Sequence, residues 1–478
     1  MLTLKKQTLV RAVLAGTAVL FGAVAHAAIP IEHWMLPNGA KIYLAATNAL
    51  PIVDVQIDFD AGSRRDPPAQ AGLAGVTAGM VEKGIRASGR PAAGPPQSGT
   101  VPSGSSEDTS VPSVGAYDAA MDENALGEAW ADLGANFDAS AGSDRMSFSL
   151  RTLSEPGLLD KAVRLASREI GEPAFPENVW KREREQLNAS IREANTKPAT
   201  IAGRAFSQAV YGAHPYGQDT TEATLARIDV ATMRQRYEQF ILPCRAKLSI
   251  VGAVTRAQAE AIATTLLSRL PAATQPGDCA ALPPVPQIAP LAAAKEERLP
   301  FDSAQAHVWI GQPGYARSDP DHFALTLGNY VLGGGGFVSR LTEEVREKRG
   351  LAYSVYSGFS PGLHAGAFRI GFQTRPDQTA DAVKVAREVV AKFVAEGPTA
   401  AELKAAKANL IGGFPLLLDS NRKLLGNVSN IAWNDLPLDY LDTWTARMNA
   451  VTAADVKAAF ARKLQPERMV TVVVGGKP

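Results

Sequence analysis

Residues 53–60 read VDVQIDFD and alternate strictly between apolar and polar. In an extended chain Val53, Val55, Ile57 and Phe59 share one face, and Asp54, Gln56, Asp58 and Asp60 the other. The pattern predicts a strand with one buried and one wet face. HWMLPNGAKIYLA (33–45) sets the turn pair Asn38-Gly39 between two short strand-like runs. By contrast, 157–195 and 377–411 carry apolar positions at helical spacing. LAYSVYSGF (351–359) predicts a strand. GAFRIGFQT (366–374), with alternating Phe368, Ile370 and Phe372, predicts its hairpin partner. Strands and helices segregate without regular β–α–β alternation. The predicted fold class is therefore α+β, with largely antiparallel sheets.

The pattern also repeats. MRQRYEQFILPCRAKLSIVGAV (233–254) aligns without gaps with VKAAFARKLQPERMVTVVVGGK (456–477). Tyr237 falls on Phe460, Pro243 on Pro466, Arg245 on Arg468 and Gly252 on Gly475. WKREREQL (180–187) falls on LKAAKANL (403–410) at the same offset. One offset shared by two separated segments predicts a duplicated domain. The expected copies span 28–270 and 299–478, joined by a Pro- and Ala-rich linker over 271–298. Residues 87–115 are rich in Pro, Gly and Ser and poor in large apolar residues, which predicts a disordered surface insertion in the first copy.

Composition narrows the function. The chain has 478 residues, 46% hydrophobic and 20% charged, enough apolar mass for two cores. A formal net charge of +1 is no footprint for nucleic acid. At the N-terminus Lys5, Lys6 and Arg11 precede a small, apolar run over 12–25, and Ala25-His26-Ala27 fits a leader cleavage pattern. The other reading is an uncleaved anchor, but the run is shorter than the roughly 18–20 residues of a spanning helix. Cleavage after Ala27 removes those three positive charges and leaves −2 from +1. No later segment is apolar enough to span, so the expected location is the periplasm. There Cys244 and Cys279 could pair as a structural disulfide or remain as two thiols; neither lies in a Cys-x-x-Cys motif.

Candidate chemistry is sparse. After the leader, His33, His214, His307, His322 and His364 remain, with no His-x-x-x-His pair among them. Isolated surface or structural histidines are the simplest reading, and a metal site assembled from distant ones is the other. Gly333, Gly334, Gly335 and Gly336 open LGGGGFVSRLTEEVREKRGLAY (332–353), but without the Lys-Ser/Thr of a phosphate loop. Val338, Leu341 and Val345 then share one helical face. Glu343 and Glu344 lie towards its start, Lys348 and Arg349 at its end, and Gly350 stops it. Arg346 falls in the last turn and Tyr353 at the start of the predicted strand. Taken alone, they are either a solvated Arg and a core Tyr or two side chains meeting across the bend.

This stretch closely resembles the C-terminal-domain signature of the M16 (pitrilysin-like) peptidases: a Gly-rich turn, Ser-Arg-Leu, then a helix ending in Arg-x-Lys-x-Gly-Leu-Ala-Tyr. The resemblance covers nearly all of the chain after the leader except 87–115, and includes His214-Pro215-Tyr216-Gly217. It implies the LuxS/MPP-like metallohydrolase fold in two homologous domains. It also implies that Arg346 and Tyr353 contact substrate carbonyls beside a zinc ion. A glycine-rich segment at this place is associated with substrate binding in non-catalytic family members, which carries that role to Gly333, Gly334, Gly335 and Gly336.

Active members carry His-x-x-Glu-His on a helix of the first domain, with the Glu as general base. AGSRRDPPAQAGLAGVTAGMVEKG (61–84) resembles that frame. In its register the histidines fall on Gly75 and Gly79 and the Glu on Ala78. The third ligand falls on Ser190, seven residues after Glu183. Gly and Ala offer no ligand atom, and a neutral Ser is a poor replacement for a carboxylate. The resemblance thus implies no cofactor bound by this chain and no peptidase activity by it alone. It implies a heterodimer with a zinc-containing M16 subunit, acting on peptide substrates. The alternative is a catalytically inert structural or peptide-binding protein of the same fold.

Overall fold

The computed structural model describes residues 30–88, 119–271 and 279–476. The leader expected over 1–27 lies outside them, as does nearly all of the insertion expected over 87–115. Strands β1 (Glu32–Met35) and β2 (Lys41–Ala46) form the hairpin read around Asn38-Gly39. They are followed by β3 (Ile52–Phe59), and by β4 (Gly84–Ile85) and β5 (Met121–Asp122), which make a separate ladder. β6 (Asn136–Ala141), β7 (Met146–Leu153) and β8 (Lys247–Gly252) complete a six-stranded sheet in the order β1-β2-β8-β3-β7-β6. The second half contributes β9 (Glu296–Leu299), β10 (Ala306–Tyr315), β11 (Val355–Phe359), β12 (Gly366–Thr374) and β13 (Val470–Val474).

The second sheet, β9-β13-β10-β12-β11, repeats β2-β8-β3-β7-β6 strand for strand. Even the single parallel pair recurs, as β2–β8 and β9–β13. The helices repeat with equal fidelity. Pro156–Gly171, Glu177–Ala194, Pro198–Tyr211 and Val230–Phe240 each begin 223 residues before a partner: Thr379–Glu396, Ala400–Gly413, Asn421–Trp433 and Ala453–Lys463. The fold is α+β, two copies of one mainly antiparallel unit. Among the described residues no helix is long and apolar enough to cross a membrane.

Three local expectations are corrected. Asp54 and Asp58 are 3% and 0% exposed, so the polar face of β3 is not wet. The helix Asn421–Trp433, from the other half, lies across β3 and β8. The strand read from Leu351 begins only at Val355. The linker read to 298 ends before Glu296, where β9 joins the second sheet. Its described part is tied down: Cys279 is disulfide-bonded to Cys244, and the Pro283 and Pro286 carbonyls accept from Arg65 and His214.

The two halves exchange a helix. Asn421–Trp433 covers the first sheet, and its counterpart Pro198–Tyr211 covers β10 and β13 of the second. The contacts are equivalent in place but opposite in chemistry. Val55 faces Ile250, and Val308 faces Val473, so Asp58 and Gly311 occupy matching positions. At matching helix positions stand Ser429 and Phe206. Ser429 Oγ donates to Asp58 Oδ2 at 2.8 Å, where the carboxylate also accepts from Arg145 (2.9 Å), Ser147 (2.5 Å) and Gln56 (2.9 Å). Phe206 instead presses on bare Gly311, where an added Cβ would lie 2.8 Å from the ring and 2.1 Å from the Phe368 carbonyl oxygen. Ala202, Phe206 and Val210 form an apolar cluster there with Val470, Val472 and Val474.

His214-Pro215-Tyr216-Gly217 is a second bolt. Tyr216 Oη donates to Asp144 Oδ1 of the β6–β7 turn at 2.5 Å and accepts the His364 N–H of the β11–β12 turn at 3.3 Å. His214 Nδ1 accepts the Tyr216 N–H at 3.1 Å, so its proton sits on Nε2, which donates to the Pro286 carbonyl at 3.0 Å. Burial, then the neighbouring His364, holds the His214 pKa below its ordinary value. Burial likewise lowers His364, and pushes His322 down to about 3.

Two measurements test this account. Ser429→Ala leaves a buried carboxylate one donor short and is expected to cost about 1–3 kcal/mol in urea unfolding. Gly311→Ala drives a methyl into backbone and is expected to cost at least as much. The histidines set a pH dependence. Well above pH 6.5 they are neutral in both folded and unfolded chains, and stability is full. As pH falls the unfolded chain takes up protons that the folded one refuses, so stability drops towards the lowered folded pKa values. His322 alone should account for about 2 kcal/mol by pH 5. Melting temperatures between pH 7.5 and 5 should fall, less steeply in His322→Gln.

Candidate functional site

The helix Leu73–Val81 is the one that the resemblance assigns to metal binding. Its support is complete. Asp66 caps it, accepting the N–H groups of Gly72 and Ala74 at 3.1 Å. Arg236 holds that carboxylate at 3.0 Å and also donates to the Ala61 and Gly62 carbonyls. Burial raises the Asp66 pKa against the pull of Arg236. At its far end Glu82 accepts the Ala139 N–H of edge strand β6 at 2.5 Å.

What this helix presents is bare. Gly75 and Gly79 are exposed on one face, and a Cβ added to either would meet nothing within 4 Å. Ala78 is buried at 1% exposure. Ser190 is exposed on Glu177–Ala194. The nearby carboxylates already have cations. Glu183 pairs with Arg182 at 2.9 Å and Lys83 at 3.4 Å, while Arg182 also grips both oxygens of Glu123, at 2.7 and 2.8 Å. Those Arg182 hydrogen bonds hold the Glu123 pKa low. Among the described residues no group of three or more His, Cys, Asp or Glu side chains could hold a metal ion. This donor set does not fit zinc.

The second group of predicted residues lies beside β11. The glycines sit between two helical turns wider than an α-turn. The Gly335 N–H reaches back five residues to the Tyr330 carbonyl, and the Lys348 N–H to Glu343. Gly333 is buried, and a Cβ there would lie 2.4 Å from Ser357 Oγ of β11. The missing Cβ leaves room for that close packing against β11. Gly334 and Gly336 are exposed, and Gly336 turns the chain at φ 61°.

Ser339-Arg340-Leu341 then anchors the segment. Ser339, fully buried, donates to the Gly336 carbonyl at 2.8 Å. Arg340 clamps both oxygens of Glu402 at 2.7 and 2.8 Å, holding that carboxyl down at about 2. Leu341 and Val345 are fully buried as predicted, but Val338 is 73% exposed. The helix does not yet run at 338: a separate tight turn, Gly336–Val338, points Phe337 and Val338 outwards.

Arg346 and Tyr353 do meet. The guanidinium carbon lies 5.1 Å from the Tyr353 ring centroid and 4.6 Å from that of Phe337. Its Nε pairs with Glu347 at 3.3 Å, and its Nη groups make no hydrogen bond to a described residue. The guanidinium lies over the faces of two aromatic rings while its Nη groups stay free to donate. Phe337 was missed in the sequence reading. Its signal was a large aromatic directly after a glycine able to turn left-handed. No hydrogen bond, ion pair or ring contact joins this group to Gly75, Ala78, Gly79 or Ser190, which belong to the other half.

Comparisons with known proteins agree with the fold. The family description "Peptidase M16 inactive domain" matches residues 227–410. The crystal structure of a peptidase M16 inactive domain from Pseudomonas fluorescens superposes with a TM-score of 0.81 at 31% identity, covering 94% of this chain and 98% of that one. An uncharacterized zinc protease of Streptomyces coelicolor is 37% identical over 186 residues, 38% of this chain and 40% of that protein. A non-peptidase homolog of Helicobacter pylori is 29% identical over 187 residues, 38% and 43% respectively. The chain thus spans about two fifths of these two curated relatives. Its match to the Pseudomonas structure runs nearly end to end on both sides, and the chain belongs to the M16 peptidase family.

Proposed function

We propose that this chain is the non-catalytic, substrate-binding subunit of a heterodimeric M16 zinc peptidase, exported to the periplasm. The observation that carries the reading is the Arg346 guanidinium, held over two exposed rings with its Nη donors uncommitted, in a chain whose metal-ligand positions hold Gly and Ser. A second M16 chain would supply zinc and the general base. This chain would supply Arg346 and Tyr353. In-plane N–H groups and a phenol O–H match a peptide carbonyl, and match it better as the oxygen gains charge in the transition state. The Gly72–Val81 region supports the division of labour: a well-held helix with no donor on its open face.

The test mixes the purified chain with an exported M16 chain that carries His-x-x-Glu-His and follows peptide cleavage. Arg346→Ala in this chain is expected to lower kcat by about 10²–10³, and Tyr353→Phe by less, with unchanged melting temperatures. Unchanged turnover in both variants sinks the proposal in favour of an inert peptide-binding or structural protein. Metal analysis of this chain alone should find far less than one zinc per molecule. Mass measurement of the exported protein should place its first residue at Ala28.

A further inference from the structure

Among the described residues the three most exposed large apolar side chains are Tyr353, Val338 and Phe337, at 84%, 73% and 72%. All three stand at one place. The backbone puts them there deliberately: Gly336 adopts φ 61°, and the short turn Gly336–Val338 leaves the buried path that Leu332 and Leu341 follow on either side. Burial of either Phe337 or Val338 would be favourable, so their exposure in a chain with two full cores calls for an occupant. The polar part of the surface says which kind. In contact with both rings lies an Arg whose Nη donors are free, which suits an oxygen acceptor. An extended peptide offers a carbonyl oxygen and a side chain within a few ångströms of one another, repeated along its length.

We infer that Phe337, with Val338, is the apolar half of the peptide-contacting surface whose polar half is Arg346. The Phe337 ring holds the guanidinium through its face, and its free edge, with Val338, receives an apolar side chain of the bound segment. The inference rests on the reading of Arg346 as a peptide contact, and it makes Phe337 a positioning residue for that cation as well as a selector of sequence. The occupant is an extended segment with an apolar residue next to the carbonyl that Arg346 engages.

The experiment uses the full chain and two twelve-residue Gly/Ser peptides, one with a central Leu and one with a central Asn, titrated by calorimetry. The Leu peptide should bind about tenfold more tightly. Phe337→Ala should weaken the Leu peptide by about three- to tenfold and bring the two peptides together, while Phe337→Tyr retains the preference. Val338→Ser should narrow the preference without abolishing binding. In a double-mutant cycle Phe337→Ala and Arg346→Ala should be non-additive, which a ring that merely occupies space would not produce. A Leu peptide that binds no better than its Asn twin overturns the inference. So does a Phe337→Ala variant with unchanged affinity and preference while Arg346→Ala weakens both peptides; the functional reading then stands. If Arg346→Ala changes nothing, that reading fails together with the inference.

Discussion

The reciprocal exchange of one helix between two sheets is the constraint on which everything else rests. Each sheet has one face covered by its own helices and the other by a helix of the opposite half. Pulling the halves apart would expose Phe206, Val210 and three valines on one side. On the other it would strip a fully buried Asp58 of its Ser429 donor. Two domains in one chain are expected to move relative to each other unless their interface is large and well packed. Here the interface is the second core face of both sheets. The glycine turn beside β11 and the helix beside β6 are therefore held at a fixed separation.

That rigidity explains why the first half keeps an apparatus without its chemistry. Asp66, Arg236 and Glu82 position the helix Leu73–Val81 as closely as a metal site would require. Their bonds also cap a helix and cover the edge of β6, so the fold needs them whatever the helix presents. A side chain at 75 or 79 would point into open space and have no such second duty. A ligand whose only partner is a metal can be lost at little structural cost. The remaining charges close on themselves: Arg182 and Lys83 satisfy Glu123 and Glu183, leaving no surplus negative charge to attract a cation.

Much of this was legible in the sequence because it lay in local periodicity or in one long motif. The duplication could be read from a shared offset, and the structure extends that offset to four helix pairs. The meeting of Arg346 and Tyr353 followed from the motif, and the burial of Leu341 and Val345 from spacing. What failed was whatever depended on a partner distant in sequence. Alternation in VDVQIDFD identified a strand but could not reveal that Asn421–Trp433 would bury its aspartates. Helical spacing put Val338 inside because 3.6-residue periodicity assumes an α-helix. Here the chain makes a tight turn and then wide ones, so the face shifts. The four glycines read as one feature, yet Gly333 serves packing against Ser357 and Gly336 serves a left-handed turn.

Two arginines six residues apart show how environment divides labour on one segment. Arg340 is clamped by both oxygens of Glu402, so its charge and donors are spent on holding the glycine turn to the helix Ala400–Gly413. Arg346 has a single, longer contact to the exposed Glu347 and is otherwise held by rings. Carboxylates engage a guanidinium along its edge and consume the N–H groups that would recognise another oxygen. Aromatic rings engage its flat faces and leave the edge open. Contact with the rings therefore holds Arg346 in place without satisfying it. A cation immobilised and still wanting acceptors is what recognition of a peptide carbonyl requires, and the same stack makes the exposed Phe337 intelligible.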